Sequence, residues 1–253
     1  MSSPNVERAV LTALIGRQCM SEAEFKSLVE KCQTVDIRVC EGGEASELKT
    51  VLQNVSYILE DYEMELQRVR DQLTGEFMFV LINKTNNEWT QRATQYKADE
   101  IDVLKGIISA IFSESNNQPH DRFWISFQGI KQLPDLDEIQ GKFDSKSFDQ
   151  VVLTFVADGW LAIKSEKIYL PARTLAELKP YLTELYGPRG SQTLQSCAGC
   201  HHIFTAGRQC ASVNCVRLHE YCVNAYFQKY SNGSSNCAKC GNDMNENYSV
   251  ISV

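Results

Sequence analysis

Apolar residues recur along this chain at two different spacings, and the spacings alternate. Val6, Ala9, Val10, Ala13 and Leu14 form a stripe of helical period, so Val6 to Gln18 predicts a helix. Ser21 followed by Glu24 has the form of a capping box and opens a second helix that runs through Cys32. Gly42 and Gly43 break the chain. Ala45 to Asp61 then predicts a third helix, with Leu48, Val51, Leu52, Val55, Ile58 and Leu59 turned inward. Glu65 to Arg70 and Glu76 to Asn83 predict two strands around Thr74-Gly75. Three helices followed by a hairpin suggest a winged-helix unit.

The order then repeats without matching residues. Asp99 to Phe112 predicts a strong helix, with Ile101, Leu104, Ile107, Ile108 and Ile111 on one side. Phe123 to Phe127 suits a short strand and Asp135 to Gln140 a short helix. Ser145 to Ala157 predicts a helix with Phe148, Val151, Val152 and Phe155 inward. Trp160 to Lys164 and Lys167 to Leu170 predict a hairpin through Ser165-Glu166, and Thr174 to Tyr186 a closing helix. Gly187-Pro188-Arg189-Gly190 predicts a linker. The expected fold class is therefore α+β: tandem winged-helix domains over 1–96 and 97–187, then a separate segment over 188–253.

Composition changes the picture only at the C-terminal end. The chain has 253 residues, 25 basic and 32 acidic, with 43% hydrophobic content, ordinary for a globular protein. Met1 to Leu14 has charges at Glu7 and Arg8 and lacks a basic head with a long apolar run, so no secretory signal is expected there. The longest apolar runs fall far short of a membrane span. A soluble chain in a reducing compartment, away from membranes, is the expectation. Ten cysteines are the anomaly: seven fall between Cys197 and Cys240.

Winged helices often read DNA through Lys and Arg on one helix. Residues 1–196 instead carry 21 basic and 29 acidic residues. Glu47, Glu60 and Asp61 oppose Lys49 on one candidate reading helix, and Asp149 opposes Lys146 on the other. Only Arg68 and Arg70 are mildly cationic. Protein docking, with little direct DNA binding, is the expectation.

The cysteine-rich end reads Cys197-Ala198-Gly199-Cys200, Cys210 with Cys215, His219 with Cys222, and Cys237-Ala238-Lys239-Cys240. These are four ligand pairs separated by nine, three and fourteen residues. Eight Cys and His ligands imply two tetrahedral zinc ions. A reducing compartment disfavours disulfides, and seven cysteines would leave one unpaired. The spacing suits a cross-brace, with Cys197, Cys200, His219 and Cys222 at one site and Cys210, Cys215, Cys237 and Cys240 at the other. A segment this short folds poorly on an apolar core alone. Zinc supplies roughly 10–16 kcal/mol per site to such modules, so chelation should unfold this end and spare the rest. His201 and His202 are surplus to the eight and read as exposed imidazoles or outer donors. Cys19, Cys32 and Cys40 read as ordinary thiols. Val223, Tyr226, Phe227 and Tyr230 form a helical stripe that packs the module.

Cross-brace modules fall mainly into RING-type ubiquitin-ligase modules and PHD fingers. A PHD finger carries Trp two residues before the seventh ligand, where this chain has Ser235, so RING-type is favoured. Taken with the linker, the stretch Asp158-Gly159-Trp160-Leu161, Gly207 before Cys210 and the run Cys222 to Phe227, the chain resembles the non-SMC element one family. Those are RING-type subunits of the Smc-five/six genome-maintenance complexes. The resemblance covers essentially the whole chain.

It implies that the winged helices dock a MAGE-family subunit and that the assembly engages a kleisin subunit. It also implies action at chromatin in the nucleus, in DNA repair and recombination, as a RING-type E3 that recruits a ubiquitin-conjugating enzyme. Two positions depart from an active RING. Gly199 stands where ligases place a bulky apolar contact, and Gly241 where many place a basic one. Activity is expected to be weak alone and to rise with the MAGE partner. The alternative is a purely structural subunit.

Overall fold

The computed structural model describes residues 4–39, 47–84, 96–113, 122–133, 145–212, 215–246 and 248–251; side chains of 37–39 and 145–147 are excepted. Cys40 and the expected helix Asp135 to Gln140 lie outside the described residues. The chain divides into two compact units, 1–71 with 76–88, and 72–75 with 89–253.

The first unit runs α1 (Pro4–Arg17), β1 (Cys19–Ser21), α2 (Glu22–Val39), α3 (Leu48–Glu60), β2 (Met64–Arg70) and β3 (Phe77–Asn83). The capping box forms: Glu24 accepts from the Ser21 N–H at 2.7 Å, and the Glu24 N–H donates to Ser21 Oγ at 3.1 Å. That satisfies two of the donors a helix start leaves orphaned. The strand β1 is absent from the sequence expectation, because three residues are too few to show a period. It pairs antiparallel with β3 and completes a sheet of order β1-β3-β2. Val10, Leu14, Phe25, Val51, Val55 and Leu59 meet the sheet through Phe79 and Leu81 in one apolar core. Arg68 is spoken for: its guanidinium pairs with Glu22 at 2.7 Å and lies over the Phe77 ring, which Arg70 also covers.

The second unit begins with α4 (Ala98–Phe112), β4 (Trp124–Ser126), the single turn α5 (Phe127–Ile130), α6 (Ser145–Ala157), β5 (Ala162–Lys164) and β6 (Lys167–Tyr169). Its sheet order is β4-β6-β5. Gly159 takes φ +75, which lets the chain reverse after α6 and drop Trp160 into the core. The Trp160 ring is capped by Arg173, which pairs in turn with the buried Glu177 at 3.2 Å. Tyr96 donates to Asp158 at 2.5 Å beside it.

Two expectations are corrected here. The closing helix is two helices, α7 (Ala172–Glu177) and α8 (Lys179–Tyr186), parted at Leu178. Pro180 lacks an N–H and crowds the carbonyl four residues back, so it starts a helix instead of continuing one. The expected linker Gly187 to Gly190 is a folded helix stop. The Gly187 N–H returns to the Thr183 carbonyl, Ser191 N–H to Leu185, and Leu194 N–H to Tyr186. A Cβ on Gly187 or Gly190 would overlap the carbonyls of Thr183 or Leu185.

The chain continues as β7 (Gln195–Ser196), β8 (Ile203–Phe204), β9 (Gly207–Cys210), β10 (Arg217–Leu218), a 3-10 turn (Glu220–Cys222), α9 (Val223–Tyr230) and β11 (Tyr248–Ile251). This cysteine-rich end shares the core of the preceding helices. Ile203, Phe204 and Ile251 belong to the same buried cluster as Ile107, Phe112, Phe123 and Leu182. Phe123 meets the Phe204 ring edge-on at 6.4 Å. The unit is thus a mixed helix and sheet body ending in a small three-stranded sheet of order β10-β9-β11. Among the described residues no helix is long and apolar enough to cross a membrane.

Candidate metal centre

Two tight turns supply four of the eight candidate ligands, and they are built alike. Strands β7 and β8 hold the first, which carries Cys197 and Cys200. Cys197 N–H donates to the His202 carbonyl at 2.9 Å and His201 N–H to the Cys197 carbonyl at 2.8 Å. The second repeats this pattern: Cys237 N–H to the Asn242 carbonyl and Gly241 N–H to Cys237, both at 2.8 Å. The residue that closes each turn is left-handed, His201 at φ +61 and Gly241 at φ +78. Gly241 therefore answers a backbone need, since a left-handed residue with a Cβ costs about 1–2 kcal/mol. His201 and His202 are exposed and belong to neither ligand group, though His201 has this turn-closing place.

The other four ligands come from the sheet and the 3-10 turn. Cys210 ends β9 and Cys215 follows it, with Cys210 N–H bonded to the Val216 carbonyl. His219 leaves β10, and Cys222 closes the 3-10 turn. The structure then brings the eight together as two groups, Cys197, Cys200, His219 and Cys222, and Cys210, Cys215, Cys237 and Cys240. The first pair joins the third and the second joins the fourth, so the groups interleave along the chain. Within each group the ligand atoms lie within 4.8 Å of one another. Zinc with bonds of about 2.3 Å to sulfur has tetrahedral edges of about 3.8 Å. Three approaches within the groups are near that length: Cys200 Sγ to His219 Nδ1 is 3.3 Å, Cys210 to Cys240 3.5 Å, and Cys215 to Cys237 3.4 Å.

The charge state of the sulfurs fits a cation too. The Cys200 hydrogen bond, then those from His219, hold the Cys197 thiol down to about 3. The same bond with Cys197, with burial, pushes Cys200 upward. Burial and Cys237 push Cys215 up to about 12, while the Asn242 N–H and the Ser212 hydroxyl bring Cys240 down to about 6. Within each group one thiol is shifted down and a neighbour up, chiefly by the hydrogen bonds among them and by burial. A divalent cation lets all release their protons. Backbone N–H groups of Gly199 and His219 also point at Cys197 Sγ, each at 3.4 Å, as donors to a thiolate should. The two clusters fit a RING-like dual zinc-binding domain.

His219 is fully buried, and its orientation is set from outside the cluster. Its Nδ1 faces Cys200 while Nε2 meets the Ile203 carbonyl at 3.1 Å. That bond puts the proton on Nε2 and leaves the Nδ1 lone pair for a metal. Tyr221 stacks on the imidazole at 4.9 Å and Phe204 packs near it at 5.7 Å. Neither ring has a spacing signal in the sequence. The expected packing stripe forms α9, with Val223, Tyr226 and Phe227 buried and Tyr230 half-exposed. Ser235 bonds to Asp243 at 2.6 Å, and Met244 N–H returns to its carbonyl, closing the loop around the second turn. Cys19 and Cys32, in the first unit, form no disulfide among the described residues.

Comparison with known proteins follows the same division of the chain. A family model described as "Nse1 non-SMC component of SMC5-6 complex" matches residues 7–178. A model described as "RING-like domain" matches residues 197–240, from the first candidate ligand to the last. The human "Non-structural maintenance of chromosomes element 1 homolog" is 25% identical over 237 residues, covering 93% of this chain and 82% of the human protein. The Schizosaccharomyces pombe "Non-structural maintenance of chromosomes element 1" is 27% identical over 180 residues, 71% of this chain and 72% of the yeast one. In three dimensions the chain matches one from a structure titled "Nse1-Nse3-Nse4 complex" with a TM-score of 0.76. That match has 21% identity and covers 96% of this chain and 98% of that one, a likeness in fold.

Proposed function

Because the chain belongs to the Nse1 family of non-SMC components of the SMC5-6 complex, we propose that it is the RING-type subunit of such a complex. It is built as winged-helix modules over 1–96 and 97–187 and a cross-braced zinc module over 188–253. Cys197, Cys200, His219 and Cys222 hold one zinc ion, and Cys210, Cys215, Cys237 and Cys240 hold the other. Zinc, when bound, supplies a structural tetrahedral centre with every position taken by protein. The winged helices dock a MAGE-family subunit, and the assembly engages a kleisin. The relative of similar fold comes from an assembly named for Nse1, Nse3 and Nse4. The subunit works in the nucleus, on chromatin, in DNA repair and recombination. Direct DNA contact by this chain is slight: Arg68 is engaged by Glu22, and residues 1–196 are net acidic.

The interleaved ligand groups inside a RING-like segment are the observation that carries a ubiquitin-ligase role. Such a module has no nucleophile. It acts by holding a charged conjugating enzyme and its acceptor in a reactive arrangement. Gly199 and Gly241 leave this chain without two contacts that help an active RING, so transfer is weak alone and rises with the MAGE partner. The test is ubiquitin transfer reconstituted with the full chain, the partner and a panel of conjugating enzymes. Stimulation by the partner supports the ligase role, and its absence across the panel overturns it.

A second reading is favoured by the packing. Ile203, Phe204 and Ile251 share one core with the helices before them. In this reading the zinc module only stiffens a docking surface. Zinc-retaining substitutions near the exposed ends of the module would then leave every function unchanged.

A further inference from the structure

Ile203 offers one carbonyl to two donors. His219 Nε2 reaches it at 3.1 Å and Gln72 Nε2 at 2.8 Å. Gln72 lies in the turn between β2 and β3, at residues that belong to the second unit, 131 residues before Ile203. Its Oε1 accepts from Thr205 N–H at 2.8 Å, Thr205 Oγ1 at 3.1 Å and Ala206 N–H at 3.1 Å. The amide thus grips the strip 203–206 at both ends. Its orientation is forced, since two backbone N–H groups can face only the oxygen. The gripped strip is the wall behind the imidazole. Ile203, Phe204, Thr205 and Ala206 are all buried. Gly207, at φ +139, then presses against Leu218 and His219 so closely that a Cβ there would lie 2.9 Å from the His219 Cα. A Cβ on Gly75 would come within 3.8 Å of Tyr221, which stacks on His219.

We propose that Gln72 is a positioning residue of the first metal site, fixing the Ile203 carbonyl that selects the His219 tautomer and aims Nδ1 at the metal. Partners that orient a ligating histidine typically change metal affinity by about 10–100-fold when lost. Gln72 acts one bond further out, so about tenfold is the expected effect. The second group of ligands, held by its own backbone turn, is untouched. This rests on the zinc reading of the two clusters.

Cobalt titration of the full-length chain tests it, because a site of three sulfurs and one nitrogen absorbs differently from one of four sulfurs. Wild type should take two cobalt ions with both signatures. Gln72→Ala should weaken the three-sulfur site about tenfold and leave the four-sulfur site unchanged. Gln72→Glu keeps the acceptor for Thr205 and Ala206 but sets an anion against the Ile203 carbonyl, so it should weaken the same site. Equal loss at both sites, or Gln72→Glu matching wild type, assigns Gln72 a purely structural role and overturns the proposal. A wild-type chain without two cobalt sites removes the metal reading itself, a result distinct from wild-type behaviour in the variants.

Discussion

Gly199 backs onto Cys222: a Cβ built on the glycine would stand 3.0 Å from the cysteine Cβ and 3.6 Å from its sulfur, with Leu218 also at 3.6 Å. The absent bulky residue therefore has a steric cause inside this module. Gly199→Leu, the obvious way to restore a conjugating-enzyme contact, should instead push Cys222 away from its group. Overpacking of this kind costs typically about 1–3 kcal/mol. The expected outcome is a lower unfolding temperature, loss of metal from the first site, and ubiquitin transfer no higher than wild type. Metal content measured beside the transfer assay checks it; a variant with two zinc ions and faster transfer would show that the site tolerates the side chain.

Chelation should reach further than the cysteine-rich end. Zinc binding free energy on the order of 10 kcal/mol per site is folding free energy for such modules. Here Ile203, Phe204 and Ile251 also fill the core around Ile107, Phe112 and Phe123. Removing the metal should therefore loosen the α4 and α8 side of the second unit, while Val51, Val55 and Leu59 keep the core of the first. Hydrogen exchange of the full chain with and without chelator measures this. Increased exchange confined to 195–251 would mean that the shared core survives without zinc.

The two Cys/His groups were legible because a candidate metal knuckle is a local object: two residues, a tight turn and a fixed spacing. The helices of the first unit were legible for the same reason, since stripe and capping box both lie within a few residues. What escaped reading depends on distant neighbours or on ambiguous signals. Gly and Pro mark linkers and helix stops alike, and only the bonds to Thr183 and Leu185 show that Gly187 to Gly190 is a stop. Pro180 marks the break at Leu178, a local signal that the single closing helix expected over Thr174 to Tyr186 leaves out. Phe204 looks like any apolar residue between ligand pairs until Phe123 is placed beside it. Gln72 has no spacing relation to Ile203 at all.

The capping box gives a pH-dependent prediction. The Ser21 N–H, then the Ser21 hydroxyl, hold the Glu24 carboxyl below its ordinary 4.5. A carboxylate with a depressed folded-state pKa contributes stability that is present above the unfolded value and is lost as pH falls through the folded one. Glu24→Gln keeps a neutral acceptor but not the charge. Wild type should exceed it in thermal stability by a constant margin above about pH 5, and the margin should close as pH drops below 4.5. Paired melting curves of the full chain across that range check it. A margin independent of pH would mean that the charge contributes nothing.

The Arg173–Glu177 pair gives the largest expected effect on stability. Both side chains are over nine-tenths buried, at 3.2 Å, on one turn of α7. Arg173 is committed three ways: to Glu177, to the Asp158 carbonyl, and to the face of Trp160 with its carbon at 4.5 Å. Removing one partner of a buried pair strands the other charge, at a cost of about 3–5 kcal/mol. Arg173→Met should approach that cost, since it also uncovers Trp160 and frees the Asp158 carbonyl. Glu177→Gln should cost less, because the amide oxygen can still accept from the guanidinium. The double variant should be less destabilised than the sum of the two, since neither charge is then left alone. Urea unfolding followed by Trp fluorescence reads all three. Additive losses would mean that the two side chains act independently and that Arg173 works mainly through Asp158 and Trp160.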